Sequence, residues 1–329
     1  MPESIASGCS RGSQTPAQTG IRADLRRLTD RKTSNKILYR GTPAAVDTAG
    51  WLTTSELDRD SMTTDLLVDP AWVADRFEEP SVRLVDVREA WEFDAMGHLP
   101  GAVSIPFERY RDDDSPEPGT LPGADAFAAL LGEAGISPDD TIVVYDDTHG
   151  VFAARFVLTA LVYGHDDVRL LNGDFSAWRR AYEVTDAATE TEPTDYEAAG
   201  IVADAPIVDR ETVEAAIEGG ETTLIDTREG WEYDEGHLPG AIRLDWMELV
   251  DEESRGVKSG DEIESLLADR GIPTDRDRPV ILYCNTSRRL SHTFVVLRSL
   301  GFENVAVYEG SMTEWENANG AIRTADSDE

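Results

Sequence analysis

A chain of 329 residues is long enough for two ordinary domains, or for one domain with large insertions, and 40% hydrophobic content supports packed cores. A net charge of −35 repels nucleic acid and anionic membrane surfaces, which makes both poor partners. No run of about 18 apolar residues predicts a spanning helix, and two cysteines, Cys9 and Cys284, offer neither a disulfide framework nor a Cys/His zinc site, so no metal is expected.

The first 61 residues stand apart. They carry nine Lys/Arg against seven Asp/Glu, whereas residues 62–329 carry 21 against 58, a change from +2 to −37. They are rich in Ser, Thr and Arg, show little periodicity and lack the apolar centre of a secretory signal, which predicts a disordered tail or an over-long translation start ahead of Met62. Beyond that point Lys258 is the sole lysine. An acidic surface that keeps arginine and avoids lysine points to a salt-rich cytoplasm, where screening at molar salt tolerates the self-repulsion. An acidic mesophilic protein is the plainer alternative.

From residue 66 onward, short β-rich runs alternate with helical patterns. Arg83-Leu-Val-Asp-Val87, Thr141-Ile-Val-Val-Tyr145 and Val168-Arg-Leu-Leu171 predict buried strands, and Ala124 to Gly132 and Val151 to Val162 predict helices. This rhythm predicts an α/β fold, a parallel sheet with helices on both faces. The acidic, Thr/Ala-rich stretch 186–205 then reads as a linker.

After the linker the chain repeats itself. Leu84-Val-Asp-Val-Arg-Glu-Ala-Trp-Glu-Phe-Asp-Ala-Met-Gly-His-Leu-Pro-Gly-Ala102 returns, one residue shorter, as Leu224-Ile-Asp-Thr-Arg-Glu-Gly-Trp-Glu-Tyr-Asp-Glu-Gly-His-Leu-Pro-Gly-Ala241. The register then continues about 138 residues apart, with Thr141 to Asp146 matching Pro279 to Cys284 and Gly164 to Gly173 matching Gly301 to Gly310. A period this long means two domains rather than a solenoid, here 66–185 and 206–326.

In the second copy, Pro279-Val-Ile-Leu-Tyr283 ends on Cys284 and opens the polar loop Cys284-Asn-Thr-Ser-Arg-Arg289, ahead of the apolar stretch Leu290 to Leu300. A thiol between the carboxyl end of a buried strand and a helix sits where α/β folds bind ligands. Converging loop amides, the helix N-terminus and the guanidinium groups of Arg288 and Arg289 favour a nucleophilic thiolate beside an anion site. The alternative is a buried cysteine acting as a small hydrophobe.

Two tandem α/β domains, Gly-His-Leu-Pro-Gly-Ala in each, a Tyr-Asp loop in the first and a Tyr-Cys loop in the second together resemble the rhodanese sulfurtransferases, over residues 66–326. The resemblance implies two rhodanese-like domains, of which the first has Asp146 where the second has its catalytic Cys284, with the active site at their interface and no cofactor. Cys284 would attack the outer sulfur of a donor, release sulfite or another leaving group, hold the sulfur as a persulfide, and pass it to cyanide or a thiol. The loop amides would stabilise the anionic persulfide. Arg289, at the fifth position after the cysteine, matches the six-residue sulfurtransferase loop; the related dual-specificity phosphatases carry one residue more. The loop departs from the usual Cys-Arg-Lys-Gly-Val-Thr of thiosulfate members and Cys-Gly-Ser-Gly-Val-Thr of mercaptopyruvate members. Two guanidinium groups suit thiosulfate, a compact dianion, with 3-mercaptopyruvate as the alternative donor. A cysteine-dependent phosphatase and a non-enzymatic sulfur-carrier module are the remaining alternatives.

The same resemblance assigns substrate contacts to Asn285, Thr286, Ser287, Arg288 and Arg289, and to Arg155 reaching across from the first domain. A solvated helix arginine paired with a carboxylate is the other reading of Arg155. Asp146 either accepts hydrogen bonds from loop amides across the interface or caps its own helix. Asp86 and His98 match a pair that mercaptopyruvate members couple to a loop hydroxyl, here that of Thr286. Because they recur as Asp226 and His237, a folding role explains them better. Trp91, Trp178, Trp231 and Trp315 also recur and are assigned to core packing.

Overall fold

The computed structural model describes residues 66–112 and 120–325, all within one compact unit. The expected tail or over-long start, 1–61, lies outside the described residues, and Cys9 with it.

The first copy runs through β1 (Leu67–Val68), α1 (Pro70–Ala74), β2 (Val82–Asp86), α2 (Ala90–Met96), β3 (Val103–Ser104), α3 (Ala124–Glu133), β4 (Thr141–Tyr145), α4 (Val151–Val162), β5 (Val168–Leu171) and α5 (Phe175–Trp178). The second runs through β6 (Ile207–Val208), α6 (Arg210–Gly219), β7 (Thr223–Asp226), α7 (Gly230–Glu235) and β8 (Ile242–Arg243). It continues with the hairpin β9 (Val250–Asp251) and β10 (Gly256–Val257), then α8 (Gly260–Asp269), β11 (Val280–Tyr283), α9 (Arg288–Ser299), β12 (Val305–Tyr308) and α10 (Ser311–Asn317). The sheets have the same strand order, β1-β5-β4-β2-β3 and β6-β12-β11-β7-β8. Every pairing within them is parallel, so the expected α/β architecture is present twice.

The central strands show why these segments extend. Ile142 to Tyr145 and Val280 to Tyr283 are buried at every position, as parallel strands covered on both faces require. Each ends on a tyrosine whose hydroxyl accepts a backbone N–H, Tyr145 from Leu99 and Tyr283 from Leu238, both at 3.1 Å, so the buried oxygen is satisfied. These strands deliver Asp146 and Cys284 to the same end of their sheets.

The two copies share one core. Ten of the twelve residues of α4 are buried, as is α9 from Leu290 to Leu297, and a single hydrophobic cluster runs from Val144 and Phe156 in the first copy to Leu282 and Phe294 in the second. A helix apolar all round must be covered all round, and α4 packs between its own sheet and α9.

His292 of α9 is fully buried at this seam, edge-on to Trp246 with ring centroids 5.2 Å apart. Burial, with His149 nearby, pushes its pKa down to about 4. The folded protein therefore holds a neutral imidazole, while the unfolded chain takes up a proton below about 6.5. Stability present above pH 6.5 is lost as pH falls towards 4, by a total on the order of 3 kcal/mol from this residue. Replacing His292 by Phe should flatten the fall of the urea midpoint between pH 6.5 and 4.5. A constant offset between the two proteins across that range would contradict this account.

The linker stretch 186–205 is laid along the first copy: Thr194 N–H donates to Gly132 O at 2.9 Å, Val202 N–H donates to Val162 O at 3.0 Å, and the Tyr196 hydroxyl pairs with His165 Nδ1 at 2.9 Å. Gly132 makes this approach possible, since a Cβ there would lie 2.8 Å from Thr194 O. The tryptophans divide. Trp178 and Trp315 are core residues, each with its indole N–H on a backbone oxygen at 2.9 Å, but Trp91 and Trp231 are 62% and 59% exposed. The latter two stand on the first turns of α2 and α7, and the indole N–H of Trp231 donates to its neighbour Glu229 at 2.8 Å.

Candidate active site

Cys284 follows β11 directly and is 1% exposed. Its backbone is fixed from both sides: the N–H donates to Ser311 Oγ at 3.2 Å and the C=O accepts from Met312 N–H at 3.1 Å. Ser287, in left-handed backbone at φ 65°, turns the chain into α9, and its hydroxyl donates to the carbonyl oxygen of Glu309. The first copy repeats this turn with His149 at φ 55° before α4. Such a curl aims successive amides inward, a concavity suited to an anion.

The first copy shows an anion held in that concavity. Asp146 is fully buried; its Oδ1 accepts from the amides of Thr148 and Gly150, both at 2.8 Å, and its Oδ2 from those of Phe152 at 2.8 Å and Ala153 at 3.1 Å. All four donors belong to its own loop and helix. The cross-interface reading of Asp146 is thereby corrected: it caps α4. Burial raises its carboxyl pKa above the usual value, with the four amides opposing the shift. The repeat register carries these donors onto the amides of Thr286, Arg288, Leu290 and Ser291.

The loop side chains have distinct commitments. Arg289 places both terminal nitrogens on Glu232, Nη2 at 2.9 Å from Oε1 and Nη1 in a short contact with Oε2. Asn285 donates to Glu232 Oε1 at 2.6 Å, while its own Oδ1 faces Arg228 Nη1 at 3.4 Å. Burial acts to raise the Glu232 carboxyl, but hydrogen bonds and charge from Arg289 outweigh it and hold the group below the usual carboxylate range. Arg288 is exposed, its guanidinium 5.8 Å and 5.5 Å from the ring centres of Phe107 and Phe152 in the first copy, and among the described residues no carboxylate pairs with it. Thr286 is half-buried beside it. Arg155, 1% exposed, crosses the seam to Glu309 Oε1 at 2.7 Å, an oxygen that also accepts Leu121 N–H at 2.7 Å.

A family model described as a Rhodanese-like domain matches residues 69–181 and 209–318. The chain belongs to the rhodanese family. A thiosulfate sulfurtransferase from Pseudomonas aeruginosa is 33% identical to this rhodanese over 260 residues, 77% of this chain and 94% of that one. A putative thiosulfate sulfurtransferase from Haloferax volcanii is 35% identical over 279 residues, 78% and 95% of the two chains. The solved structure of SseA from Escherichia coli, described with the 3-mercaptopyruvate sulfotransferases, superimposes with a TM-score of 0.68 at 27% identity, covering 75% of this chain and 99% of that one. Among the described residues of this rhodanese, no helix is long and apolar enough to cross a membrane.

The paired Asp and Arg residues and the histidines of the signature are built into the frame of the rhodanese domains, with Arg228 also facing Asn285 of the loop. Asp86 accepts from Nε and Nη2 of Arg88, which also donates to Gly97 O at 2.8 Å, and Asp226, Arg228 and Gly236 repeat the arrangement with the last contact at 2.6 Å. His98 stacks on Phe93 at 3.8 Å with Nδ1 3.0 Å from Leu99 O, and His237 stacks on Tyr233 at 3.7 Å. A catalytic coupling of Asp86 and His98 to Thr286 is corrected accordingly, since the carboxylate is engaged by the Arg88 guanidinium and the imidazole sits on Phe93 with its Nδ1 at Leu99 O. Sequence reading missed Glu232 and Glu309. Their one legible signal is the repeat, in which Glu309 stands opposite Asn172 and Glu232 opposite Glu92.

Proposed function

We propose that this rhodanese is a thiosulfate sulfurtransferase carrying sulfane sulfur on Cys284. The observation that supports it is Asp146 in its cradle of four amides. A carboxylate oxygen stands three bonds from its Cα, and so does the outer sulfur of a cysteine persulfide; a thiol sulfur stands two. The amides of Thr286, Arg288, Leu290 and Ser291 correspond to this cradle in the repeat register, which supports a persulfide anion at position 284 as their ligand. In the first half-reaction the Cys284 thiolate forms a bond to the sulfane sulfur of thiosulfate, the S–S bond of the donor breaks, and sulfite leaves with the electron pair. In the second, cyanide takes the outer sulfur as thiocyanate and returns the thiolate; a thiol acceptor takes it as a persulfide.

Donor choice follows from which guanidinium groups are free to meet it. Arg289 is neutralised by Glu232 and Arg155 by Glu309, which leaves Arg288 at the exposed lip of the loop as the cation for the donor's sulfonate oxygens. The commitment of Arg289 also disfavours a phosphatase, whose loop arginine must grip phosphate. The acidic, lysine-poor surface supports work in a salt-rich cytoplasm.

The test compares thiosulfate and 3-mercaptopyruvate as donors in molar KCl, with thiosulfate expected to show the larger kcat/KM. Arg288→Ala should raise the thiosulfate KM roughly tenfold or more, the scale of losing a hydrogen bond to a charged group, with kcat within about twofold. A preference for 3-mercaptopyruvate would replace the donor assignment, and an unchanged KM would remove Arg288 from the donor site.

A further inference from the structure

We propose that Glu232 is a positioning residue for the Cys284 loop, holding the second and sixth loop positions in one geometry through a single carboxylate. The inference rests on the persulfide reading of Cys284. It is carried by a difference between the two copies. Glu92 and Glu232 stand at the same place in α2 and α7, the third helical position, and each accepts the backbone N–H of the residue before its helix, Glu89 at 3.1 Å and Glu229 at 3.2 Å. As a helix cap the two are equivalent. Only in the second copy does the same carboxylate also take the loop, through Asn285 Nδ2 and both terminal nitrogens of Arg289. The matching loop positions in the first copy are Asp147 and Val151, which offer no cation, and Glu92 is only half-buried there whereas Glu232 is buried.

The geometry explains what the arrangement does. Asn285 is gripped from both sides, by Glu232 on its amide nitrogen and by Arg228 on its amide oxygen, while Thr313 Oγ holds the Asn285 carbonyl at 2.9 Å. Arg289 opens α9 beside Arg288, and anchoring its long side chain fixes where the first turn begins. The loop amides belong to the same few residues, so a displaced carboxylate moves the cradle relative to Sγ. Misplacement by about 1 Å is enough to cost roughly a hundredfold in rate.

Glu92 supplies the internal control, because Glu92→Ala removes the same cap without touching the loop. Thiosulfate:cyanide turnover is compared in molar KCl for the parent, Glu232→Ala, the near-isosteric Glu232→Gln and Glu92→Ala, alongside the rate of Cys284 alkylation by iodoacetamide read by peptide mass. Glu232→Ala should lower kcat about 10- to 100-fold with the thiosulfate KM within about threefold, and should change the alkylation rate severalfold. Glu232→Gln keeps an oxygen for Asn285 and should lose less than Glu232→Ala, and Glu92→Ala should stay within about twofold on both readouts. Equal effects of Glu232→Ala and Glu92→Ala, or a loss seen in KM alone, would overturn the positioning role. If the parent gains no sulfur on Cys284 from thiosulfate, the sulfurtransferase reading falls instead, and the alkylation rates still decide whether Glu232 sets the loop.

Discussion

Cys284→Ser abolishes sulfur transfer from thiosulfate to cyanide, with turnover falling by roughly a thousandfold or more, while the folded protein survives. The chemical half of this expectation follows from the two-step path: a serine hydroxyl is a far weaker nucleophile towards sulfane sulfur, and without the sulfur atom no persulfide stores the transferred group. The structural half follows from how position 284 is held. Its contacts to Ser311 and Met312 use the backbone N–H and C=O, which the substitution leaves in place. The side chain is small and buried, so one atom exchanged for a slightly smaller one leaves little void. A steady-state assay with a thermal melt in the same molar KCl buffer checks both halves. Turnover within tenfold of the parent would rule out the covalent path.

Asp226→Ala carries the largest expected cost in stability, about 3–5 kcal/mol, because it leaves the guanidinium of Arg228 buried without its carboxylate. The pair is buried on both sides, at 0% and 6% side-chain exposure, with Nη2 2.7 Å from Oδ2, so salt screens it weakly and the loss should persist in molar KCl. Arg228 also faces Asn285, so the variant should lose turnover in its folded fraction. Asp86→Ala breaks the same buried pair in the first copy, away from the cysteine loop, and should show a comparable loss of stability with turnover preserved in the folded fraction. Urea unfolding of both variants measures the cost. A loss below about 1 kcal/mol would mean that Arg228 finds another partner or water.

The fold was legible because it is written in local patterns and then written again. The unbroken apolar runs of β4 and β11 identify strands buried on both faces, and the bounds of α4 coincide with the run Val151 to Val162. The duplicated register assigned Cys284 and Asp146 to corresponding places before any contact was known. The electrostatic partners were not legible. Among 58 acidic residues beyond position 61, nothing local distinguishes Glu232, which meets Arg289 across 57 residues, or Glu309, which meets Arg155 across 154. The same limit explains why Arg288 and Arg289, adjacent in the chain, looked interchangeable: only tertiary placement puts one on a carboxylate and the other over aromatic rings. Trp91 and Trp231 were misassigned because a repeated aromatic signals a repeated environment without saying on which side of the helix it lies.

The self-filled pocket of Asp146 also sets a stoichiometry. With its own carboxylate lodged permanently among the amides, that half has no vacancy for an incoming anion and no sulfur atom to extend. If Cys284 carries the sulfur as proposed, duplication has produced a carrier with a capacity of one, in which the second half receives the cargo and the first buttresses it through Arg155 and the shared core.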